Sequence, residues 1–513
     1  MENIAIRNEV DRIEDINVGR SNDTDSMPDL RRELELLQKK MLRVVELRNT
    51  EIQRVNPAQK SSYINLLFYL VLRSEDIRDL QTQLHIVGLS SLSSSESHIY
   101  CQLIAILERL GKEFIPDDKY AYSYKKASYD LRFKSKALFG EKRELMIPFI
   151  MVTLDTSFGE DYGKLKELLL TGMNVARINC AHDDEAVWAK MIKNVRRAME
   201  ETHLPCKIYM DLAGPKIRTI LPGGKNKKRK IEVEPGEMIY LTDDVGDDDS
   251  EEKWVGCTIK GIIQQLKTGE RVLFDDGSIE CKIENLEKDK ATLTVIRVSR
   301  KKPYIKPEKG INFPDSKLSL SSITDFDMAC LPFICQHTDL LGYSFVRNSN
   351  DLLQLQNLLS DQRRKDILII LKIETREAVG NLPSLLVQGM QDRAFGVMIA
   401  RGDLAIELGF ERMSEIQEEI LWICEAAHVP VIWATQVLET LNKTGLATRS
   451  EITDASYSGF AECVMINKGE HTVEVIETLK DILFRGGGHH IKKRYTFRPL
   501  SIAKDYLSTI ETF

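Results

Sequence analysis

The chain has 513 residues, of which 42% are hydrophobic and 29% charged, and its formal net charge is −7. That length fits roughly three domains of about 150 residues, or one large barrel with additions. The acidic balance argues against a nucleic-acid or anionic-membrane binder, which needs a basic surface, and no apolar run reaches the roughly 18 residues of a membrane span.

The N-terminus, MENIAIRNEVDRIEDINVGR, is mixed in charge and has no apolar signal core. Residues 1–28 are polar, run into SNDTDSMPD (21–29) and read as a disordered lead-in or loop. From Leu30 to about Val55 apolar residues recur at three- and four-residue steps, which predicts one long amphipathic helix. Further helices are expected near 59–74, 76–86 and 96–111, with Ser94 or Ser95 capping the last. Residues 1–145 therefore read as an all-α extension, a scaffold or oligomerisation element without chemistry of its own. The nine cysteines are scattered, with no CxxC pair or zinc spacing, as expected for reduced thiols in a cytoplasmic protein.

After Met146 the texture changes to short apolar runs, each followed by a helical stretch. FIMVTL (149–154), NVARIN (174–179) and CKIYMDL (206–212) come first. Strand-and-turn-rich sequence then fills 217–307 and reads as an inserted β domain, with KNKKRK (225–230) and GDDDSEE (246–252) as solvated loops. Alternation resumes with TDLLGYSFV (338–346), ILIILKIE (367–374), FGVMIA (395–400), PVIWAT (430–435) and ECVMIN (462–467). Eight such units predict an α/β fold, a (β/α)8 TIM barrel split into parts 146–216 and 308–484. Near-continuous apolar runs suit parallel strands covered on both faces. The segment 485–513 is a basic tail.

In such barrels the active site lies at the C-terminal strand ends. Charged and polar residues collect there: Arg177 and Asn179 on the second run, Asp211 on the third, Lys372 and Glu374 on the fifth. Arg401 and Asp403 follow the sixth, Thr435 and Gln436 the seventh, Asn467 and Lys468 the eighth. Charges within apolar strands are costly unless paired or bound to a metal. Glu374 and Asp403 are hard oxygen ligands from neighbouring strands, suited to Mg²⁺. Lys372, Arg177, Lys216 and Arg218 surround them with positive charge, as an anionic substrate with a transferable phosphate requires.

The ordered motifs GMNVARINCAH, MDLAGPKIRT, FDDG, KGINFP, LKIE, ARGDLAIE and ATQVLET resemble those of the pyruvate kinase family over roughly residues 147–481. The N-terminal NLLFYLVLRSEDIRDLQ and GLSSLSSSESH resemble a bacterial subgroup with a helical extension and no C-terminal domain. The resemblance implies conversion of phosphoenolpyruvate and ADP to pyruvate and ATP, with the insertion, a β-barrel, as a mobile lid. It implies Mg²⁺, with Mn²⁺ as an alternative, held by Glu374 and Asp403. Lys372, Arg177 and Thr435 would be catalytic: Lys372 beside the transferring phosphoryl group, Arg177 bridging to the nucleotide, Thr435 by the methylene carbon. Gly402 and Asp403 would bind substrate, with backbone N–H groups of the ARGD turn on its carboxylate. His182, Arg218 and Lys309, with Arg177, would bind nucleotide. Asn179 and Asp211 would line the monovalent-cation site. Assembly as a homo-oligomer is also allowed.

Departures from the family pattern cluster at that cation site. Ala181 and Leu212 each remove a ligand, and Lys216 replaces a glutamate, as in members that do not need K⁺. A fixed ammonium can supply the charge K⁺ otherwise supplies. The first strand ends in LDTSFGED, not the family's glycine–proline–alanine–serine turn, and Lys468 and Thr375 replace a serine and an asparagine. Two other readings fit the strand-end residues: a Mg²⁺-dependent pyruvate-enolate aldolase or decarboxylase, and a non-catalytic sensor of phosphoenolpyruvate or nucleotide.

Overall fold

A computed structural model of the chain describes residues 23–113, 120–222, 230–243, 245, 252–299, 303–392, 394–487, 490–491 and 494–495. The expected lead-in before residue 23, most of the two charged loops and most of the basic tail lie outside them. No helix among the described residues is long and apolar enough to cross a membrane.

Helix α1 (Asp23–Leu47) starts inside the segment expected to be a loop. Leu30, Leu34, Leu37, Met41 and Val45 form its buried stripe, and packing of that stripe overrides the turn-forming composition before it. The predicted single helix breaks at Arg48 and resumes as Asn49–Arg54. Helices α2 (Lys60–Arg73) and α3 (Ile99–Arg109) match expectation. The expected serine cap of α3 is absent: Ser95 makes no side-chain cap, and the Ile99 N–H is taken by Asn65 Oδ1 at 3.2 Å. A further helix, α4 (Tyr124–Phe139), was not anticipated.

Eight parallel strands form a closed barrel. They are β1 (Phe149–Thr153), β2 (Val175–Asn179), β3 (Lys207–Asp211), β4 (Leu340–Tyr343), β5 (Leu368–Ile373), β6 (Gly396–Ala400), β7 (Val431–Ala434) and β8 (Cys463–Ile466). The ring runs in chain order and closes by pairing β1 with β8. Alternate residues on a strand point the same way. Phe149, Met151, Val175, Tyr209, Leu340, Ile370, Met398, Ile432, Cys463 and Met465 share one core inside the barrel. Leu138 and Phe139 of α4 join that core, so the end of α4 plugs the bottom of the barrel. The outward-facing strand residues share another core with the barrel helices and with α1 to α3. The extension is thus continuous with the barrel.

Polar ties reinforce that junction. Asn65 donates to the carbonyls of Glu96 (2.7 Å) and Ala426 (2.8 Å) while accepting from Ile99. His428 reaches Ser62 Oγ (3.0 Å) and the Ser97 carbonyl (2.8 Å).

Between β3 and β4 the strand-rich segment folds around its own core, with Ile239, Val255, Val272, Phe274, Ile283 and Leu293 at its centre. A seven-stranded sheet has its end strands at Thr219–Ile220 and Ile311–Asn312. An Arg218–Gly310 bridge, with Thr219 N–H donating to Lys309 O (2.8 Å) and Ile311 N–H to Ile217 O (2.9 Å), ties those ends into a ring.

Candidate active site

The inward parity that places apolar side chains at the barrel bottom carries polar ones to its top. Two residues beyond Met151 stands Thr153. Beyond Val175 stand Arg177 and Asn179; beyond Tyr209, Asp211; beyond Ile370, Lys372 and Glu374; beyond Met465, Asn467. A cavity of about 530 Å³ opens there. Arg177, Asn179, His182, Lys216, Arg218, Lys309, Lys372, Glu374, Asp403 and Thr435, all singled out by sequence, line it.

Arg177 donates through Nε to Asp211 Oδ2 (2.7 Å) and through Nη1 to Thr153 Oγ1 (2.9 Å). Tyr209 Oη donates to the other Asp211 oxygen. A Cβ at Gly342 would stand 2.0 Å from that hydroxyl and 2.1 Å from Asp211 Oδ1, so the Tyr209–Asp211 pair requires glycine on β4. Burial alone would push the Asp211 carboxyl up, but Arg177 and Lys372 overcome it and hold the group below its usual range. Asp211 is thus an anchor for two cations.

Lys372 Nζ lies 2.7 Å from Ser344 Oγ, 3.1 Å from Glu374 Oε1 and 3.7 Å from Asp211 Oδ1. Burial pulls its pKa down, yet Asp211 and Glu374 raise it above the ordinary value, so the ammonium stays charged. Glu374 accepts the Phe345 N–H at 2.6 Å. Burial first, and then the like charge of Asp403, push its carboxyl up against the pull of Lys372. Asp403, in the first turn of α6 (Arg401–Leu408), pairs with Lys216 Nζ at 2.6 Å. Arg177, Lys372 and Lys216 thereby face Asp211, Glu374 and Asp403 in one pit.

Thr435 sits in the left-handed region (φ 67°), as does Gln436 (φ 57°), an outlying conformation for a β-branched residue and a form of strain common at functional sites. Its Oγ1 accepts the Gly402 N–H at 2.9 Å. That N–H, expected to face a substrate carboxylate, is therefore spent on Thr435. Arg401 turns away from the cavity. It donates to the carbonyls of Ala434 and Thr435, pairs with Asp454 and lies over the Trp433 ring, bracing the turn after β7.

On the insertion side, Lys309 Nζ pairs with Asp275 Oδ1 (3.0 Å) and Arg218 donates to the Glu308 carbonyl (3.0 Å). Burial, then Lys468 and Arg218, push the His182 imidazole down, leaving it neutral at pH 7. Asn179 Oδ1 accepts from the Ala181 N–H (3.2 Å).

Sequence reasoning missed Thr153, Tyr209, Ser344 and the Phe345 N–H. The first and third carry the inward parity of β1 and β4, and that parity was the signal available. Tyr209 looked like one more apolar strand residue.

The fold and pit define a (β/α)8 barrel with buried carboxylates and cations gathered at the strand ends. A family model described as pyruvate kinase, barrel domain, matches residues 149–473. The pyruvate kinase of Bacillus licheniformis is 32% identical over 335 residues, covering 64% of this chain and 55% of that protein. That of Dictyostelium discoideum is 32% identical over 327 residues, 62% of each. That of Thermotoga maritima is 31% identical over 332 residues, 63% of this chain and 67% of that one. The chain belongs to the pyruvate kinase family. It spans about half the length of several of the relatives it matches.

Proposed function

We propose that the chain transfers the phosphoryl group of phosphoenolpyruvate to ADP, giving pyruvate and ATP. The observation that carries this reading is the buried Lys372 ammonium, 3.1 Å from Glu374 in a pit that also holds Arg177 and Asp403. The donor set supports a divalent ion: Glu374 and Asp403 offer hard oxygens from successive βα units, and Asp403 already acts electrostatically on Glu374. Bound at these two residues, Mg²⁺ (or Mn²⁺) supplies Lewis-acid stabilisation of the enolpyruvate oxygens.

The chain's own residues do the rest. Lys372 and Arg177, both fixed by Asp211, offset charge on the phosphoryl group while its bond to the enol oxygen breaks and a bond to the terminal ADP oxygen forms. Thr435 stands by the methylene carbon that then takes a proton. His182, Arg218 and Lys309 receive the nucleotide phosphates, and the insertion excludes water as a lid. Lys216 stands in for the monovalent cation, with Asn179 and Asp211 lining the remainder of its site, so K⁺ is not required.

A coupled assay with phosphoenolpyruvate, Mg²⁺ and a panel of nucleoside diphosphates tests the reading. Pyruvate formation that needs both the divalent ion and the nucleotide is expected. No nucleotide-dependent pyruvate would refute it. Exchanging K⁺ for tetramethylammonium should change turnover by less than about twofold, and more than about tenfold would remove Lys216 from its role.

A further inference from the structure

Asp327 is buried in α5 (Asp325–His337) and makes two kinds of contact at once. Its Oδ2 accepts the Thr324 N–H (3.0 Å) and hydroxyl (2.7 Å), closing the capping box at the start of α5. Its Oδ1 accepts the Ala213 N–H at 2.7 Å, and Gly214 N–H lies 3.2 Å from Oδ2. No salt bridge reaches Asp327 among the described residues. Its charge is met by N–H and O–H donors alone, so their geometry decides where the turn sits.

The turn it grips, 212–216, carries Lys216. The Leu212 N–H is tied to the Gly342 carbonyl at 2.9 Å, fixing its start to the barrel. Gly214 has φ +68°, and a Cβ there would come within 2.8 Å of the Phe345 ring. The turn is therefore pressed against Phe345 and Ser344 and held by Asp327. From this mount Lys216 Nζ reaches Asp403 Oδ1 at 2.6 Å. An ammonium at that distance occupies an oxygen that a divalent ion needs, and repels the ion as a like charge.

We propose that Asp327 is a positioning residue: it fixes the turn that aims Lys216 at Asp403 and so sets how tightly the Glu374–Asp403 pair takes a divalent cation. The proposal rests on the reading of that pair as the metal site. It predicts an effect opposite to ordinary damage. Releasing the turn lets Lys216 drift, and the metal binds more tightly while phosphoenolpyruvate, which needs the nearby charge, is used less well.

The test uses the full chain and Mn²⁺ alone as probe, with free Mn²⁺ read by electron paramagnetic resonance. Wild type, Asp327→Asn, Lys216→Met and the double variant are compared, with urea unfolding to confirm that each is folded. Both single variants should bind Mn²⁺ at least about threefold more tightly than wild type. The double variant should match Lys216→Met within about twofold, because both changes act through one ammonium. Unchanged or weaker Mn²⁺ binding by folded Asp327→Asn, or effects that multiply in the double variant, would overturn the proposal. If Asp327→Asn does not fold, Thr324→Val loosens the same carboxylate more gently. It should shift Mn²⁺ affinity the same way, and no shift or a weakening counts against Asp327. Glu374→Gln separates the two levels: if it leaves Mn²⁺ binding intact, the metal site itself is misassigned and the proposal goes with it. Absent turnover with the expected Mn²⁺ pattern would instead refute only the reaction.

Discussion

Replacing Lys134 by methionine should stabilise the protein, and by an amount that depends on pH. Lys134 lies on α4 in the seam between the extension and the barrel, with Nζ 3.2 Å from Ser62 Oγ. The Ser62 hydroxyl is 3.0 Å from His428 Nδ1, and His428 Nε2 is 2.8 Å from the Ser97 carbonyl. A carbonyl only accepts, so Nε2 carries the hydrogen, Nδ1 accepts from Ser62, and Ser62 accepts from Lys134. Burial pushes His428 down to about 3, so the ring is neutral. Burial likewise pushes Lys134 from 10.5 to about 7, against the weaker pull of Asp130 and with Lys126 adding to the depression. Below the folded value both folded and unfolded chains hold the proton, and the whole burial penalty is present. Between about 7 and 10.5 the folded chain has released a proton that the unfolded chain keeps, so stability rises with pH. At about 1.4 kcal/mol per pH unit the full penalty is on the order of 5 kcal/mol. Losing the hydrogen bond to Ser62 returns about 1 kcal/mol of that. Lys134→Met, similar in length and apolar, should gain roughly 4 kcal/mol near pH 6, and the gain should fade as pH approaches about 10. Urea unfolding followed by circular dichroism, run across that range, measures it. A variant less stable than wild type near pH 6, or a gain that does not shrink with rising pH, would refute the reasoning.

Phe139→Ala should lower stability by about 3–5 kcal/mol, since it opens a cavity in the barrel plug. Its kcat/KM should stay within about twofold of wild type, because Phe139 and the cavity lie at opposite ends of the strands. Glu374→Gln should cut kcat/KM at least about 100-fold without lowering the urea midpoint, because the buried carboxyl already carries a raised pKa. Removing residues before about Lys142 should yield no soluble, folded barrel, as sizing chromatography and circular dichroism would reveal. Leu30, Leu34, Leu66 and Leu103 share one core with the barrel helices, and Leu138 and Phe139 fill the barrel bottom.

The barrel was legible because its signal is local and repeated. Each strand is an apolar run ending in polar residues, and each of the eight appears within two or three residues of its expected bounds. The extension was less legible where tertiary contacts replace local ones. A distant asparagine, Asn65, does what a serine cap was expected to do for α3. In α4, YKKASYDLRFKSKALF carries lysines at positions 125, 126, 134 and 136, which dilute its apolar stripe. The buried Lys134 makes the pattern harder still to see, since a lysine normally marks a solvated face.

The site was legible in its membership and illegible in its pairings. Sequence order says that Glu374 and Asp403 follow successive strands, but nothing in it says that Lys216, from another βα unit, ends 2.6 Å from Asp403. Nor does it say that Arg177 and Lys372 lean on the same aspartate. Those pairings follow from barrel closure, which brings the tops of β2 to β6 around one pit. Closure also explains why the pit tolerates so much charge. Asp211, buried beneath Arg177 and Lys372, is held below its usual range, whereas Glu374 is pushed above its own, by burial first and then by the like charge of Asp403. The two carboxylates are chemically alike and differ only in neighbours: one has cations enough to serve as a fixed anchor, and the other is left short of positive charge, on the side where a divalent ion would supply it.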